Sequence, residues 1–301
     1  MADSATISSS RSYSTLVCRT AFIGIHLLPL LAIWTGATPF DWFVFGVLYF
    51  ARMFFVTAGY HRYFSHRTYK TSRWFQFLLA FMAQTSAQKG VLWWAANHRI
   101  HHKFSDTAED PHSRKVYGFW HSHVGWILSP EHDDTRLELV KDMAKFPELM
   151  WLNRYYLIPP ILLATVLTVL GASVNGTSSF SLSNGWSTLL IGFFLSTVVL
   201  YHATFAINSL MHWIGKPRYR TGDESKNSLF LALLSLGEGW HNNHHYFQGS
   251  TRQGFFWWEV DITFYLLRIC EALGLVWDLK PVPVHIQYAK DKLLYPVTVV
   301  N

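Results

Sequence analysis

The sequence predicts an all-α membrane protein, with four transmembrane helices beneath a helical cap on the cytosolic side. Three observations carry this. Half of the 301 residues are hydrophobic and only 15% are charged, against about a quarter charged in an ordinary soluble domain. A run of 61 residues, Tyr155 to Gly215, contains no Lys, Arg, Asp or Glu. The mean hydropathy of +0.13 is too low for a chain wholly in lipid, so a polar part must accompany the spans.

Residues 1–16 are polar and Ser-rich (MADSATISSSRSYSTL) and read as a disordered tail. The remainder, 17–301, reads as one membrane domain. Its first span is placed at about 18–36 and its second at 41–60, joined by the short turn ATPF. Each is close to the 20 apolar residues that a hydrocarbon core of about 30 Å requires. Arg52 is anomalous, because a charge within a span is costly; snorkelling or a carboxylate partner would relieve it. Spans three and four are placed at 156–173 and 186–207, around the turn VNGTSSFSLSNG. Pro159 and Pro160 fall in a first helical turn, where proline is tolerated.

Neither turn, 37–40 or 174–185, contains Lys or Arg. The basic segments all lie at the opposite ends of the spans. The positive-inside rule therefore puts 61–154, 209–301 and both termini in the cytosol. In the cap, Phe75, Leu78, Leu79 and Met82 follow the i, i+3, i+4, i+7 pattern of an amphipathic helix, and 256–277 reads similarly. The net charge of +6 is scattered. It forms no basic-aromatic motif, which argues against a nucleic-acid partner.

Eight of the sixteen histidines fall in three clusters. His61 and His66 lie in HRYFSHR, His98, His101 and His102 in NHRIHH, and His241, His244 and His245 in HNNHH. The last two share the spacing H-x-x-H-H, which puts all three rings on one side of a helix, able to converge on a point. His61 and His66 are five apart, about 140° on an α-helix, and would converge only if the helix ended between them. His212 follows the fourth span, with Asn208 one turn before it. Neither cysteine, Cys18 or Cys270, has a partner at ligand spacing. Imidazole suits Zn, Cu, Fe and Ni. Nine histidines exceed one four-coordinate zinc and match two metals, so the cap is expected to hold a histidine-rich di-metal site.

TAGYHRYFSHRTYK, NHRIHHKFSDTAEDPH, HSHVGW, NSLMH and GEGWHNNHH together resemble the membrane fatty acyl desaturases of the delta-9, stearoyl-CoA type. The likeness spans roughly residues 20–280, and the stretch from Thr251 to Pro281 is similar to prokaryotic members. The resemblance implies two Fe ions held by His61, His66, His98, His101, His102, His212, His241, His244 and His245, with Asn208 acting through water. It implies a cis double bond, expected at C9 of a saturated C16–C18 chain. The partners would be O2, a fatty acyl substrate (acyl-CoA expected) and membrane lipid. Electrons would come from a separate cytochrome b5 or ferredoxin with its reductase. It also places Gln88, Trp94, Thr204 and Phe205 along the substrate tunnel. Trp94-Ala95-Ala96-Asn97 departs from the Trp-Ala-Arg-Asp of animal members, whose Arg and Asp touch the CoA head group. Phe205 stands where those members have Trp. A bacterial inner membrane, or the endoplasmic reticulum of a eukaryote, is the expected location.

Two other readings compete. Histidine-box hydroxylases commonly have H-x3-H in the first box, whereas here it is H-x4-H. A membrane metal transporter or metal-binding protein would place its ligands within the spans, not beyond them.

Overall fold

The computed structural model describes residues 16, 19–174 and 181–289. The expected disordered tail, 1–16, lies outside these apart from Leu16, as do residues 175–180 of the second turn and the cap's last residues, 290–301.

Four apolar helical segments form the stem. α1 (Arg19–Thr35) is 17 residues long, and Leu28–Leu31 within it, around Pro29, is 3-10 helix. α2 (Pro39–Ser65) has 27 residues and α7 (Leu182–His212) has 31; both are long and apolar enough to cross a membrane. α5 (Pro147–Arg154) and α6 (Ile158–Val174) are bent by 67° and make one further candidate if counted together. The structure thus gives two crossing helices, or three with the bent pair. α1, expected as a span over 18–36, is described over Arg19–Thr35, with residues 17 and 18 outside the described residues.

At about 1.5 Å per residue, α2 and α7 are about 40 and 46 Å long, more than the hydrocarbon core needs. Their C-terminal ends carry His61 and His212. The two helices run parallel, with their N-termini tied together. Thr38 caps α2, accepting from the Asp41 amide, while Asp41 accepts from the Thr38 amide at 2.8 Å. Buried Asp41 also accepts from Ser187 and Thr188 of α7, at 2.9 and 2.5 Å. α6 runs antiparallel to α7 at close range. A Cβ on Gly171 would lie 2.2 Å from Thr188 Oγ1, and one on Gly185 2.6 Å from the Thr168 carbonyl. Small residues let these backbones approach where lipid supplies no hydrophobic drive.

Arg52 neither snorkels nor meets a carboxylate. Its guanidinium is buried in the stem and donates to Thr197 Oγ1 (2.7 Å), Ser196 Oγ (2.5 Å) and the Leu48 carbonyl (3.2 Å). Hydroxyls and carbonyls disperse the charge inside the protein.

The cap is built on α3 (Arg73–Gln84) and α4 (Val91–Phe104), with the short α8 (Leu229–Leu234) and α9 (His241–Tyr246), and α10 (Ile262–Ala272) beyond. Its main core joins Tyr60 and Phe64 of α2 to Leu79 and Ala83 of α3, and to Leu92 and Ala95 of α4. The start of α4 is fixed from outside. Gly90 has no side chain to cap it, so Asn153 Oδ1 accepts from the Leu92 and Trp93 amides, both at 3.0 Å. Gln84 Oε1 accepts from Val91 at 3.1 Å. A Cβ on Gly90 would meet Asn153 at 2.3 Å, which explains the glycine. The face of α10 expected to be apolar turns partly outward: Ile269 and Leu273 are exposed, and Leu267 is the buried anchor. A two-residue antiparallel pair, β1 (Lys70–Thr71) with β2 (Val276–Trp277), is the only sheet among the described residues.

Candidate metal centre

The structure brings the nine expected histidines together in two groups. His61, His66, His98, His102 and His244 form one, and His101, His212, His241 and His245 the other; within each, one ligand atom per ring lies within 4.8 Å of all the rest.

The helix that carries the first box ends at Ser65, between His61 and His66 as expected, with His66 as its C-cap. From Phe55 to Ser65 it widens to π-type winding, and the His66 amide donates to the His61 carbonyl at 3.3 Å. Bonds from i to i+5 bring residues five apart back to one face. The other two boxes do not each converge on a point. α4 gives His98 and His102 to the five-membered group and His101 to the other. α9 does the reverse, giving His241 and His245 to the four-membered group and His244 to the first. The i, i+4 pair stays together and the i+3 ring, about 100° away, turns to the neighbouring group.

The second nitrogen of four rings is fixed by a carboxylate. His61 Nδ1 pairs with Glu238, His101 Nδ1 with Asp110 at 3.0 Å, His212 Nδ1 with Asp106 at 3.0 Å, and His245 Nδ1 with Asp223 at 2.7 Å. A proton held on Nδ1 leaves Nε2 as a bare lone pair aimed inward. His101 Nε2 and His245 Nε2 lie 3.2 Å apart, a spacing that two ligands of one cation take. The other Nε2 separations are similar: His61 to His244 2.9 Å, His66 to His98 2.9 Å, His98 to His102 3.0 Å, and His212 to His241 3.1 Å. Metal–imidazole bonds of about 2.0–2.1 Å put ligands at right angles about 2.9 Å apart and tetrahedral ones about 3.4 Å apart. The donor set therefore fits two metal ions of high coordination number.

Protonation agrees. Burial pushes the rings of His66, His98, His102, His241 and His244 well below the ordinary imidazole range, into the neutral form that binds metal. Burial alone would raise the Glu238 carboxyl, but His61 and Arg62 beside it hold it at about 2. Asp110 and Asp223 are likewise held below the carboxylate range against their burial, by His101 and His245 respectively. Anionic carboxylates behind the imidazoles would offset the charge of bound cations; behind His101, Asp110 raises the ring against its burial.

None of these carboxylates was singled out from the sequence, because they follow no fixed spacing. Arg62, inside the first box, also escaped notice. Buried, it donates to Glu238 Oε1 (2.9 Å), Asp261 Oδ2 (3.1 Å) and the Thr251 carbonyl (2.8 Å), locking the loop that carries Glu238. The two asparagines of the third box are braces. Asn242 Oδ1 accepts from the Arg218 and Tyr219 amides at 2.7 Å each, and Asn243 Nδ2 donates to Glu259 at 2.9 Å. His112, His121 and His123 belong to neither group, though His112 lies against His101 with ring centres 4.2 Å apart and could share a cation with His101 and Asp110. His112 Nδ1 lies 3.7 Å from Asp110, His121 Nε2 donates to the Pro111 carbonyl at 3.1 Å, and His123 bridges Ser209 and His202.

A mainly apolar cavity reaches the five-histidine group. It is lined by Phe22 and Ile25 of α1, by Tyr201 of α7, and by His98 and His112. Gln88, Trp94, Thr204 and Phe205 all line it, as does Asn208. Gln88 Nε2 donates to Thr204 Oγ1 at 3.1 Å, and the Trp94 indole stacks on His98 with ring centres 4.9 Å apart. Asn97 also lines the cavity, but its Nδ2 is spent on the Trp93 carbonyl at 3.0 Å.

A family profile described as fatty acid desaturase matches residues 25–278. An sn-1 stearoyl-lipid 9-desaturase of Anabaena variabilis is 38% identical over 265 residues, 86% of this chain and 91% of its own. An sn-2 palmitoyl-lipid 9-desaturase of Nostoc sp. (strain 36) is 34% identical, over 84% of this chain and 86% of its own. An acyl-CoA 5-desaturase of Anemone leveillei is 35% identical, over 87% of this chain and 78% of its own. With the histidine boxes and an apolar cavity lined by one of their rings, these matches show that the chain belongs to the fatty acid desaturase family and is a desaturase enzyme of membrane lipid metabolism.

Proposed function

We propose that the enzyme is an O2-dependent di-iron desaturase that inserts a cis double bond at C9 of a saturated C16–C18 acyl chain. The acyl group arrives on CoA or on a membrane lipid. The observation that carries this reading is the apolar cavity lined by His98, where Trp94 stacks on the ring. The relatives named as 9-desaturases support the position.

The nine histidines would hold two irons, one in each group, with Asn208 acting on one of them through water. Iron there supplies the O2 activation that removal of hydrogen from unactivated methylenes requires. The chain's own residues do the positioning. The Gln88–Thr204 hydrogen bond sets a bend, Trp94 presses the acyl chain towards His98, and Phe205 and Tyr201 form an apolar wall that excludes water. Electrons come from a separate cytochrome b5 or ferredoxin with its reductase.

The proposal includes a single domain over 17–301 with α1, α2, α6 and α7 as four spans. The cap, 61–154 and 209–301, then lies on the cytosolic side of a multi-pass inner-membrane or endoplasmic reticulum protein. The test is expression in a desaturase-deficient host with an electron donor, followed by mass spectrometry of the fatty acids and intact lipids. A new cis-9 C16 or C18 product supports the proposal. A hydroxylated chain would transfer the enzyme to the hydroxylase reading, and an unchanged fatty acid profile would refute both.

A further inference from the structure

The cap holds a second basin, apart from the acyl cavity: the two share no lining residue. Its walls are aromatic. Phe256 stacks on Trp258 with ring centres 4.8 Å apart and meets Tyr288 edge-on at 5.7 Å. Phe264 lies beneath Arg252, whose guanidinium carbon is 5.6 Å from the centre of that ring. Arg252 and Arg268 both line the basin, and among the described residues no Asp or Glu does. Arg252 donates to the Phe256 carbonyl at 2.8 Å through a terminal nitrogen. Its Nε–H is buried and has no hydrogen-bond partner among the described residues. A buried donor left unpaired is costly, so the position calls for an acceptor. Arg268 is exposed, with Glu271 at 2.6 Å from one of its terminal nitrogens.

The basin lies beside surfaces that continue the stem. Ile262, the first residue of α10, packs with Tyr49 and Met53 of α2 and Leu200 of α7. Leu234, the last residue of α8, packs on the same cluster, and its carbonyl accepts from the Tyr49 hydroxyl at 2.7 Å. Tyr49 and Met53 fall within the apolar stretch 41–60. From there α10 exposes Tyr265, Ile269 and Leu273, each four residues from the last and so on one stripe. Phe264 and Arg268, which line the basin, form the adjoining row. α8 exposes Leu229, Phe230 and Leu233, and Trp257 and Trp258 are exposed at the edge of the basin. An apolar stripe flanked by Trp and Arg is how a helix lies in the headgroup layer of a membrane.

We infer that this basin binds the headgroup phosphate of an anionic phospholipid in the leaflet beneath the cap. The inference rests on the membrane placement proposed above and not on the chemistry at the metal centre. The Nε–H of Arg252 and the exposed guanidinium of Arg268 donate to the phosphate oxygens. The aromatic walls cover the glycerol, and the stripe of α10 lies among the acyl chains. Aromatic walls alone would attract a choline cation, but the two guanidinium groups repel it and favour a headgroup of net negative charge. The loop that carries Arg252 also braces the metal centre. On one side of it the Thr251 carbonyl accepts from Arg62 at 2.8 Å, and on the other Gln253 Nε2 donates to Glu238 at 2.8 Å. A lipid held at Arg252 therefore steadies the folded cap, as any ligand of the native state does.

The experiment titrates the full-length protein in detergent with dioleoyl-phosphatidylglycerol or dioleoyl-phosphatidylcholine and reads the tightest-bound lipid by native mass spectrometry. The parent is compared with three variants. Arg268→Glu changes an exposed side chain and leaves the core alone. Arg252→Lys keeps the charge and loses the Nε–H. Lys145→Gln alters an exposed cation that does not line the basin. The parent should bind phosphatidylglycerol about tenfold more tightly than phosphatidylcholine, and both basin variants should lose most of that preference. Lys145→Gln should keep it. Phosphatidylglycerol should also raise the melting temperature of the parent and not that of Arg268→Glu. Equal affinity of the parent for the two lipids, or a preference unchanged in Arg268→Glu, overturns the inference. Displacement of the lipid by sn-glycerol 3-phosphate overturns it too, and would assign the basin to a soluble phosphate ester. So does a preference that emerges only after removal of residues 290–301, which would assign the basin to the chain's own last segment. None of these readouts depends on product formation, so failure of the desaturation chemistry and failure of the lipid site are told apart.

Discussion

Replacing Asp223 by Asn tests whether the carboxylates behind the histidines set their tautomers. The two side chains are nearly isosteric, so packing is preserved and only the proton pattern changes. Asp223 Oδ1 accepts three hydrogen bonds, from Thr221 Oγ1 (2.7 Å), the Ser225 amide (3.0 Å) and Ser225 Oγ (2.5 Å). Those donors will hold the amide oxygen of Asn in the same place. The amide NH2 must then occupy the position of Oδ2, 2.7 Å from His245 Nδ1. It donates there, so the ring proton moves to Nε2, the atom that faces His101 at 3.2 Å. His245 is lost as a ligand and the second group falls from four imidazoles to three. Loss of such an outer partner typically costs 10–100-fold in metal affinity, about 1.4–2.7 kcal/mol. The assay is competition with a graded chelator series, reading metal retained per chain, with Asp278→Asn as a surface control. The reasoning is refuted if Asp223→Asn retains metal as the parent does while the fold is intact.

Three further outcomes are expected. His244 Nε2 lies 2.9 Å from both His61 and His102, so His244→Ala should abolish product and deplete the five-histidine group of metal; full activity would remove it from the site. Thr204→Val removes the acceptor of the Gln88 bond while keeping the shape. It should shift or broaden the double-bond position, read by mass spectrometry of derivatised fatty acids, and an unchanged position would free that bond from any role in regiochemistry. Gly171→Val would drive its side chain into Thr188; overpacking of this kind costs about 1–3 kcal/mol and should lower the melting temperature in detergent, whereas Gly24→Ala, with nothing within 4 Å, should leave it unchanged.

Much of the centre was legible in the sequence because histidine is informative. Three clusters beyond the ends of apolar runs, two with helical spacing, pointed to a shared site, and the structure brings all nine rings into two groups. Their partition was not legible. The sequence shows that His98, His101 and His102 share a helical side, but a 100° difference decides which group each joins, and that depends on where α9 packs opposite. In the first box the helix end was legible, but the i to i+5 winding of Phe55–Ser65 that precedes it has no sequence signature of its own. The carboxylate partners were hidden because Asp106, Asp110 and Asp223 reach the rings through loop geometry. Arg52 defeated the expectation because α7 supplied Ser196 and Thr197, which carry no charge to betray them. The apolar runs located α2, α6 and α7 well, and that of α1 matches the helix described over Arg19–Thr35.

The most direct test is the metal content of the purified, membrane-embedded enzyme. Elemental analysis joined to Mössbauer spectroscopy of protein grown on iron-57 should find two irons per chain, in two environments with nitrogen ligands. One iron per chain, or zinc in place of iron in an enzyme that still makes unsaturated product, would contradict the account.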